Sequence, residues 1–352
     1  MTTPLSFRIH PQDGPLRVVL VGAGGMGRTW LHTLQAADRV ELAGVVDLDA
    51  ALARRVVTEE LGEAAGAPVV VGTSLREVAP RCAADAVINV TVPAAHLPVT
   101  LEALDLGLPV LGEKPLADGL AAAATLVRAA EQAGELFMVS QNRRYDRHLW
   151  SLRHHAAQLG PVGVLTQEFF KAPRFGGFRD AMAHPLILDM AIHNFDAARF
   201  VLDADPVAVY CEEYNPPWSW YAGDAASTAV FEMTGGTRFV YTGSWCSEGL
   251  ETSWNSRWRL SAAGGSALWD GETAPVAQYA DGRPDDARPT VPLPPAENTA
   301  GALAEFVEAL RTGRVPMGEC HDNLLSLAMV YAAIASSRTR SRVEIADVLG
   351  NC

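Results

Sequence analysis

The chain has 352 residues, 49% apolar and 20% charged, with 30 glycines and 22 prolines spread along it, so it exceeds one small core and fits neither collagen, coiled coil nor extended disorder. Its 28 basic residues against 41 acidic ones give a formal charge of −13, a field that repels phosphate backbones and anionic lipid, so no nucleic acid and no membrane is an expected partner. The five cysteines, Cys82, Cys211, Cys246, Cys320 and Cys352, form neither a disulfide framework nor a CxxC pair. No apolar run reaches bilayer length and the first residues do not read as a secretory leader, so a cytoplasmic protein with reduced thiols is expected.

In chain order, residues 16–22 (LRVVLVG) read as a valine-rich strand, followed by a glycine turn and a helix over 28–37. Strands at 40–46, 68–71, 86–90, 109–111 and 135–140 alternate with helices at 49–61, 97–106 and 120–132. Runs that stay apolar without alternating point to a parallel sheet covered by helices. After residue 140 the character changes. Helices at 147–158 and 186–201 bracket a strand at 162–170, and strands at 207–213, 227–233, 237–245 and 253–262 predict a second domain on a largely antiparallel sheet. Residues 270–295 read as the least regular stretch. Helices follow at 299–311 and 323–337, with a short strand at 343–345. The domains predicted are 14–140, 141–340, and a terminal segment 341–352 for which packing back on the first domain is one option, the last helices and strand being able to pack on either.

Gly22, Gly24 and Gly27 in GAGGMG form GxGxxG between the first strand and helix. The first glycine allows the tight turn, the second lets a diphosphate approach the backbone, and the third brings helix and strand together. Gly25 and Met26 lie in the same turn. Asp47 ends the second strand, where a carboxylate accepts the ribose hydroxyls and repels a 2′-phosphate, so NAD is favoured. Arg28 and Arg54 leave NADP open. A structural glycine turn and a solvated Asp47 are the alternatives.

Glu113-Lys114-Pro115 follows the fifth strand, where Lys114 is a candidate proton-transfer group or substrate donor. A surface lysine is the alternative, and Pro115 permits a cis bond. In HPLILDMAIHNFDAAR (184–199), Asp189, His193 and Asp196 recur at four and three residues, which puts them on one helical face. A solvated face or a buried His–Asp bond would give the same spacing. Asp189, Glu113 and His193 could also suggest a metal site but match no HExxH or cysteine-supported pattern, and no metal is expected in the chain. Alternate aromatics Phe239, Tyr241 and Trp245 predict core or a subunit contact, and Trp254 and Trp258 are expected to share a face. Trp218 and Trp220 occupy a proline-containing loop and are expected on a cleft wall; FGGF at 175–178 suits a substrate loop.

VGAGGMG at 21–27, Asp47, NVTVPAAH at 89–96, GEKPLA at 112–117, QNRRYD at 141–146 and DMAIHNFD at 189–196 together resemble the glucose-fructose oxidoreductase and inositol dehydrogenase family, Gfo/Idh/MocA. The resemblance implies α/β plus α+β architecture: an N-terminal Rossmann dinucleotide-binding domain and a C-terminal domain with a large, mainly antiparallel sheet. It implies that Lys114, Asp189 and His193 line the substrate site beside the nicotinamide, and that Asn89, Thr91, Pro93 and His96 border the cofactor with Glu113. The TVPAAH form departs from the family's usual TPxxxH, which leaves the contact made by that loop open. Arg143 and Arg144 are further substrate candidates, as are His184, Arg179 and Asn194.

Removing a hydroxyl proton while the carbon gives up hydride calls for a base and a cationic donor. His193 is expected as base and Lys114 as the group polarising the oxygen, in roles that can exchange, with Asp189 orienting His193 or fixing substrate. The expected protein is an NAD-dependent dehydrogenase of a cyclic polyol, sugar or sugar derivative, a homodimer or homotetramer. The alternatives are an NADP-linked carbonyl or imine reductase and a non-catalytic dinucleotide-binding sensor or assembly protein.

Overall fold

The structure, a computed structural model, describes residues 6–11, 14–285, 293 and 295–350. It divides into two units, Met1–Asn142 with Pro295–Leu324, and Arg143–Pro294 with Leu325–Cys352.

The first unit alternates β1 (Leu16–Val21), α1 (Gly25–Gln35), β2 (Val40–Val46), α2 (Ala50–Leu61), α3 (Glu63–Gly66), β3 (Val70–Gly72), α4 (Leu75–Arg81), β4 (Ala86–Asn89), α5 (Pro93–Asp105), β5 (Val110–Glu113), α6 (Leu120–Ala133) and β6 (Phe137–Ser140). All strand pairs are parallel, in the order β3-β2-β1-β4-β5-β6. Every residue of β4, β5 and β6 is buried, as the unbroken apolar runs require of strands covered on both faces. Helix α1 buries Gly27, Trp30, Leu31 and Leu34, a stripe at helical spacing. It starts at Gly25, inside the glycine turn, earlier than the expected residue 28.

The second unit holds α7 (Arg147–Leu159), β7 (Val162–Phe170), α8 (Ile192–Leu202), β8 (Pro206–Tyr214), β9 (Ala226–Met233), β10 (Arg238–Ser244), β11 (Arg257–Ala262), β12 (Gly265–Trp269) and β13 (Val276–Tyr279). After it come α9 (Asn298–Thr312), α10 (Cys320–Thr339), β14 (Val343–Glu344) and α11 (Ile345–Gly350). The eight-stranded sheet runs β13-β12-β11-β7-β10-β9-β8-β14, and only β7 and β10 pair in parallel among the described strands. One face is buried by Leu165, Phe169, Ala229, Phe231, Phe239 and Tyr241. Phe195 of α8 meets Phe231, Tyr241 and Phe239 edge-on at 4.8, 5.3 and 6.1 Å. The aromatic alternation of β10 therefore serves the core, at about 1.5–3 kcal/mol for each large side chain buried.

Three expectations are corrected. The tail does not pack back on the first domain: β14 pairs with β8 in the second sheet. Residues 295–324, expected within the second domain, group with the first unit, where Thr299 hydrogen-bonds Thr33 and Glu308 pairs with Arg39. The strand expected from 253 begins at Arg257, so Trp254 and Trp258 do not share a face: Trp258 is buried opposite Trp269, while Trp254 is 44% exposed. Within 270–295, expected as the least regular stretch, β13 is the one strand among the described residues.

Candidate active site

In a sheet of this order, ligands bind beyond the carboxyl ends of the strands where the order reverses, here between β1 and β4. Gly22 sits there at φ 109°, and a Cβ would lie 2.9 Å from the Val90 carbonyl oxygen. At Gly27 a Cβ would fall 2.2 Å from the Gly22 oxygen, so helix and turn touch at a distance no side chain permits. Gly24 and Gly25 differ: nothing lies within 4 Å of a Cβ there, and both are exposed with Met26 beside them. The N-cap Gly24 places no side chain on the first N–H groups of α1, and the first turn carries no acid. Such a helix start suits a diphosphate.

Asp47 Oδ2 accepts from Ala23 N at 2.8 Å and Oδ1 from Asp49 N at 3.0 Å. Each oxygen keeps acceptor capacity for a ribose diol. The two arginines that left a 2′-phosphate open are engaged elsewhere: Arg28 pairs with Glu59 and Glu60, and Arg54 donates to the carbonyls of Gly66 and Val69. Leu48, 95% exposed, and Val92, 59% exposed, follow β2 and β4 as apolar rims. Sequence reasoning missed both; the signal was a large apolar residue just past a strand end, beside a polar one.

Of the residues expected to border the cofactor, three have buried side chains. Asn89 is buried, with Nδ2 donating to the His96 carbonyl and Thr100 Oγ1, and Oδ1 accepting from Thr91 N and Oγ1. His96 is buried, with Nδ1 2.7 Å from the Pro115 oxygen and Nε2 3.1 Å from the Thr91 oxygen. Burial lowers its pKa against the pull of those carbonyls. Glu113 accepts from Trp30 Nε1 at 2.9 Å and from Lys114 N at 3.2 Å. Burial raises its pKa. Asn89, His96 and Glu113 thus brace the loops that carry Thr91, Pro93 and Lys114. Thr91, Pro93 and Lys114 remain partly exposed, and the Lys114–Pro115 bond is cis.

In the second unit, Asp189 lies in a π-helical segment, Leu186–Ala191, ahead of α8. That wider turn runs straight into α8, and the three polar residues differ in burial: Asp189 and His193 are half-buried, Asp196 is buried. Asp196 is buried and pairs bidentately with Arg144 at 2.7 and 2.8 Å, also accepting from Ser326 Oγ. Arg144 is only 6% exposed, a structural ion pair where a substrate contact was expected. Asp189 is half-buried and accepts from Arg179 Nε at 2.6 Å.

Arg179 also stands 5.2 Å from the ring centre of Phe175 and 4.8 Å from that of Phe178, either side of Gly176 and Gly177, both at left-handed φ. Cation and rings fix the loop over Asp189. His193 is half-buried one helical turn further on. Arg143 donates to Asn194 Oδ1 at 3.0 Å and lines a small cavity with Asp146, Asn255 and Trp258. Desolvation pushes its pKa down to about 10. His184 is held by Glu213 at 3.0 Å, which raises the imidazole pKa. In the aromatic loop, Trp218 is 72% exposed and donates to the Cys246 carbonyl, whereas Trp220 lies under Arg174.

The strand order and the glycine turn define a Rossmann-type, dinucleotide-binding unit followed by a second, sheet-based unit. Residues 16–141 match the profile described as oxidoreductase family, NAD-binding Rossmann fold, and residues 128–268 match the GFO/IDH/MocA C-terminal domain. The chain belongs to the Gfo/Idh/MocA family of NAD(P)-binding oxidoreductases. Among curated relatives, it is 26% identical to 1,5-anhydro-D-fructose reductase of Ensifer adhaerens, across 93% of this chain and 97% of that one. It is 33% identical to inositol 2-dehydrogenase 4 of Saccharopolyspora erythraea across 55% of this chain and 56% of the relative. The fold matches a crystal structure of an oxidoreductase from Agrobacterium radiobacter in complex with NAD+, L-tartaric acid and magnesium, with TM-score 0.83 at 20% identity over 95% of this chain and 99% of that one.

Proposed function

We propose that the protein is an NAD-dependent dehydrogenase that oxidises a secondary hydroxyl of a cyclic polyol, sugar or sugar derivative. The observation that carries the reading is the cradle of Gly22, Gly24 and Gly27 beside an Asp47 whose two oxygens are already oriented by backbone N–H groups. The residues present fit NAD: open space at Gly24 and Gly25, a carboxylate for the ribose, and no arginine left at Arg28 or Arg54 for a 2′-phosphate. The bound nicotinamide supplies the hydride acceptor.

In this reading His193 takes the hydroxyl proton, and the Lys114 ammonium stabilises charge growing on the same oxygen. Asp189, oriented by Arg179, holds a neighbouring hydroxyl. Glu113 and His96 keep the Lys114 loop in place through Trp30 and Pro115. The sugar or polyol class draws on the inositol dehydrogenase and anhydrofructose reductase relatives. The second of these favours one further reading, reduction of a sugar carbonyl, in which the same residues return the proton.

Stopped-flow hydride transfer tests the assignment. Lys114→Met and His193→Asn are each expected to keep NAD binding and lose roughly 10²- to 10⁴-fold in the transfer step. Near-native rates in both would dismiss the site. A panel of inositols, sugars and glycosides with NAD and NADP, read by nicotinamide absorbance, separates the substrate classes and the two directions.

A further inference from the structure

Glu319, Cys320 and His321 open α10, away from the glycine cradle, and the dehydrogenase reading uses none of them. Glu319 Oε1 lies 3.0 Å from Cys320 Sγ and 2.8 Å from His321 Nδ1, and the sulfur and nitrogen are 3.7 Å apart. A carboxylate oxygen, a thiol sulfur and an imidazole nitrogen thus form one small triangle. Bonds of roughly 2.0–2.3 Å to a tetrahedral ion hold such donors about 3.3–3.7 Å apart, so only small shifts separate this triangle from one face of a metal site.

We propose that Glu319, Cys320 and His321 bind a divalent transition metal of zinc type, with Glu131 as the outer carboxylate on His321. Three further features support it. His321 Nε2 meets Glu131 Oε1 at 2.9 Å, the arrangement that fixes the ring of a metal-bound histidine and raises its basicity. Glu319 Oε2 is tied to His321 N at 2.9 Å, which aims Oε1 at the sulfur and the ring. The segment is itself fixed on β6: Val139 N donates to the Gly318 oxygen at 2.7 Å, and Met138 bridges to Glu319.

Cys320 and Glu319 are buried while the His321 side chain is 31% exposed, which leaves a route for an ion. The positive end of α10 works against a cation, yet it also favours the anionic thiolate and carboxylate that bind one. In the metal-free chain the thiol donates to Glu319, and the His321 ring spans Glu319 and Glu131. Metal entry replaces the thiol proton, so at least one proton leaves per ion bound.

The test uses the full chain, stripped with a chelator and titrated with Co²⁺, then with Zn²⁺ in competition. The expected result is one ion per chain, a thiolate-to-cobalt absorption band, release of at least one proton in weakly buffered calorimetry, and a higher melting temperature. Cys320→Ser should abolish the band. Glu131→Gln, at an exposed position that leaves folding intact, should weaken affinity about 10- to 100-fold. NAD binding, which does not use this site, reports that each variant is folded. No cobalt band in the wild type, or equal affinity in wild type and Glu131→Gln, would overturn the proposal.

Discussion

Asp47 shows what one carboxylate has to do before any ligand arrives: it ties Ala23 N to Asp49 N and so joins the glycine turn to the end of β2. Asp47→Ala is expected to cost about 1–3 kcal/mol in stability, the usual penalty for leaving such donors unmet. It should also raise the NAD dissociation constant more than that for NADP, which a paired fluorescence titration would read. Glu113 behaves differently. Burial raises its folded pKa above the unfolded value, so the folded state binds its proton more tightly and stability falls as pH rises through that interval. Glu113→Gln keeps an acceptor for Trp30 and removes this slope. The melting temperature of the variant should therefore gain on the wild type from pH 4.5 toward neutrality; a constant difference would mean that Glu113 is ionised in the fold. The placement of Asp47, Lys114 and the glycines at strand ends and turns was legible because their neighbours in sequence fix the local fold. The burial of Asn89, His96 and Glu113 was not, because a motif does not say which way each side chain turns.

The strand–turn–helix unit separates two kinds of glycine. Gly27→Ala drives a Cβ to 2.2 Å from the Gly22 oxygen and must push α1 off β1. A loss of about 1–3 kcal/mol is expected, with dinucleotide binding lost as well. Gly24→Ala meets open space, so its melting temperature should stay within about 1 °C of wild type, as expected of a surface change. Its NAD affinity should still drop, because the methyl takes space the diphosphate needs. Equal affinity in Gly24→Ala would place the diphosphate elsewhere. Elements with a long buried run or a helical stripe were readable, as β1 and α1 show. The π-helical turn before α8 and the short strands β12 and β13 were not: the first keeps a helix-like composition while changing the phase, and the others take their place from pairing with β11 rather than from their own pattern.

For the molecule as a whole, the second sheet has one face covered by α8 and another that no element covers among the described residues. Pairing registers align Tyr210, Val230, Val240, Thr166, Arg259, Leu268 and Val276 in one row straight across seven strands. Tyr210, Val230, Leu268 and Val276 are 41, 38, 46 and 59% exposed. A row of this composition is larger than scattered surface apolar residues and fits a partner. Both charge signs flank it, Glu168 and Glu232 with Arg238 and Arg257, so a second copy of the same face can meet it without a net like-charge clash. A homo-oligomer through this face is the expected assembly. Sedimentation should then give a multiple of the 37.6 kDa chain mass for the wild type. Val230→Glu with Leu268→Glu, both on the uncovered face, should shift it to a single chain while melting stays cooperative. A wild type that sediments as one chain, or a double variant that still associates, would remove this face from the assembly.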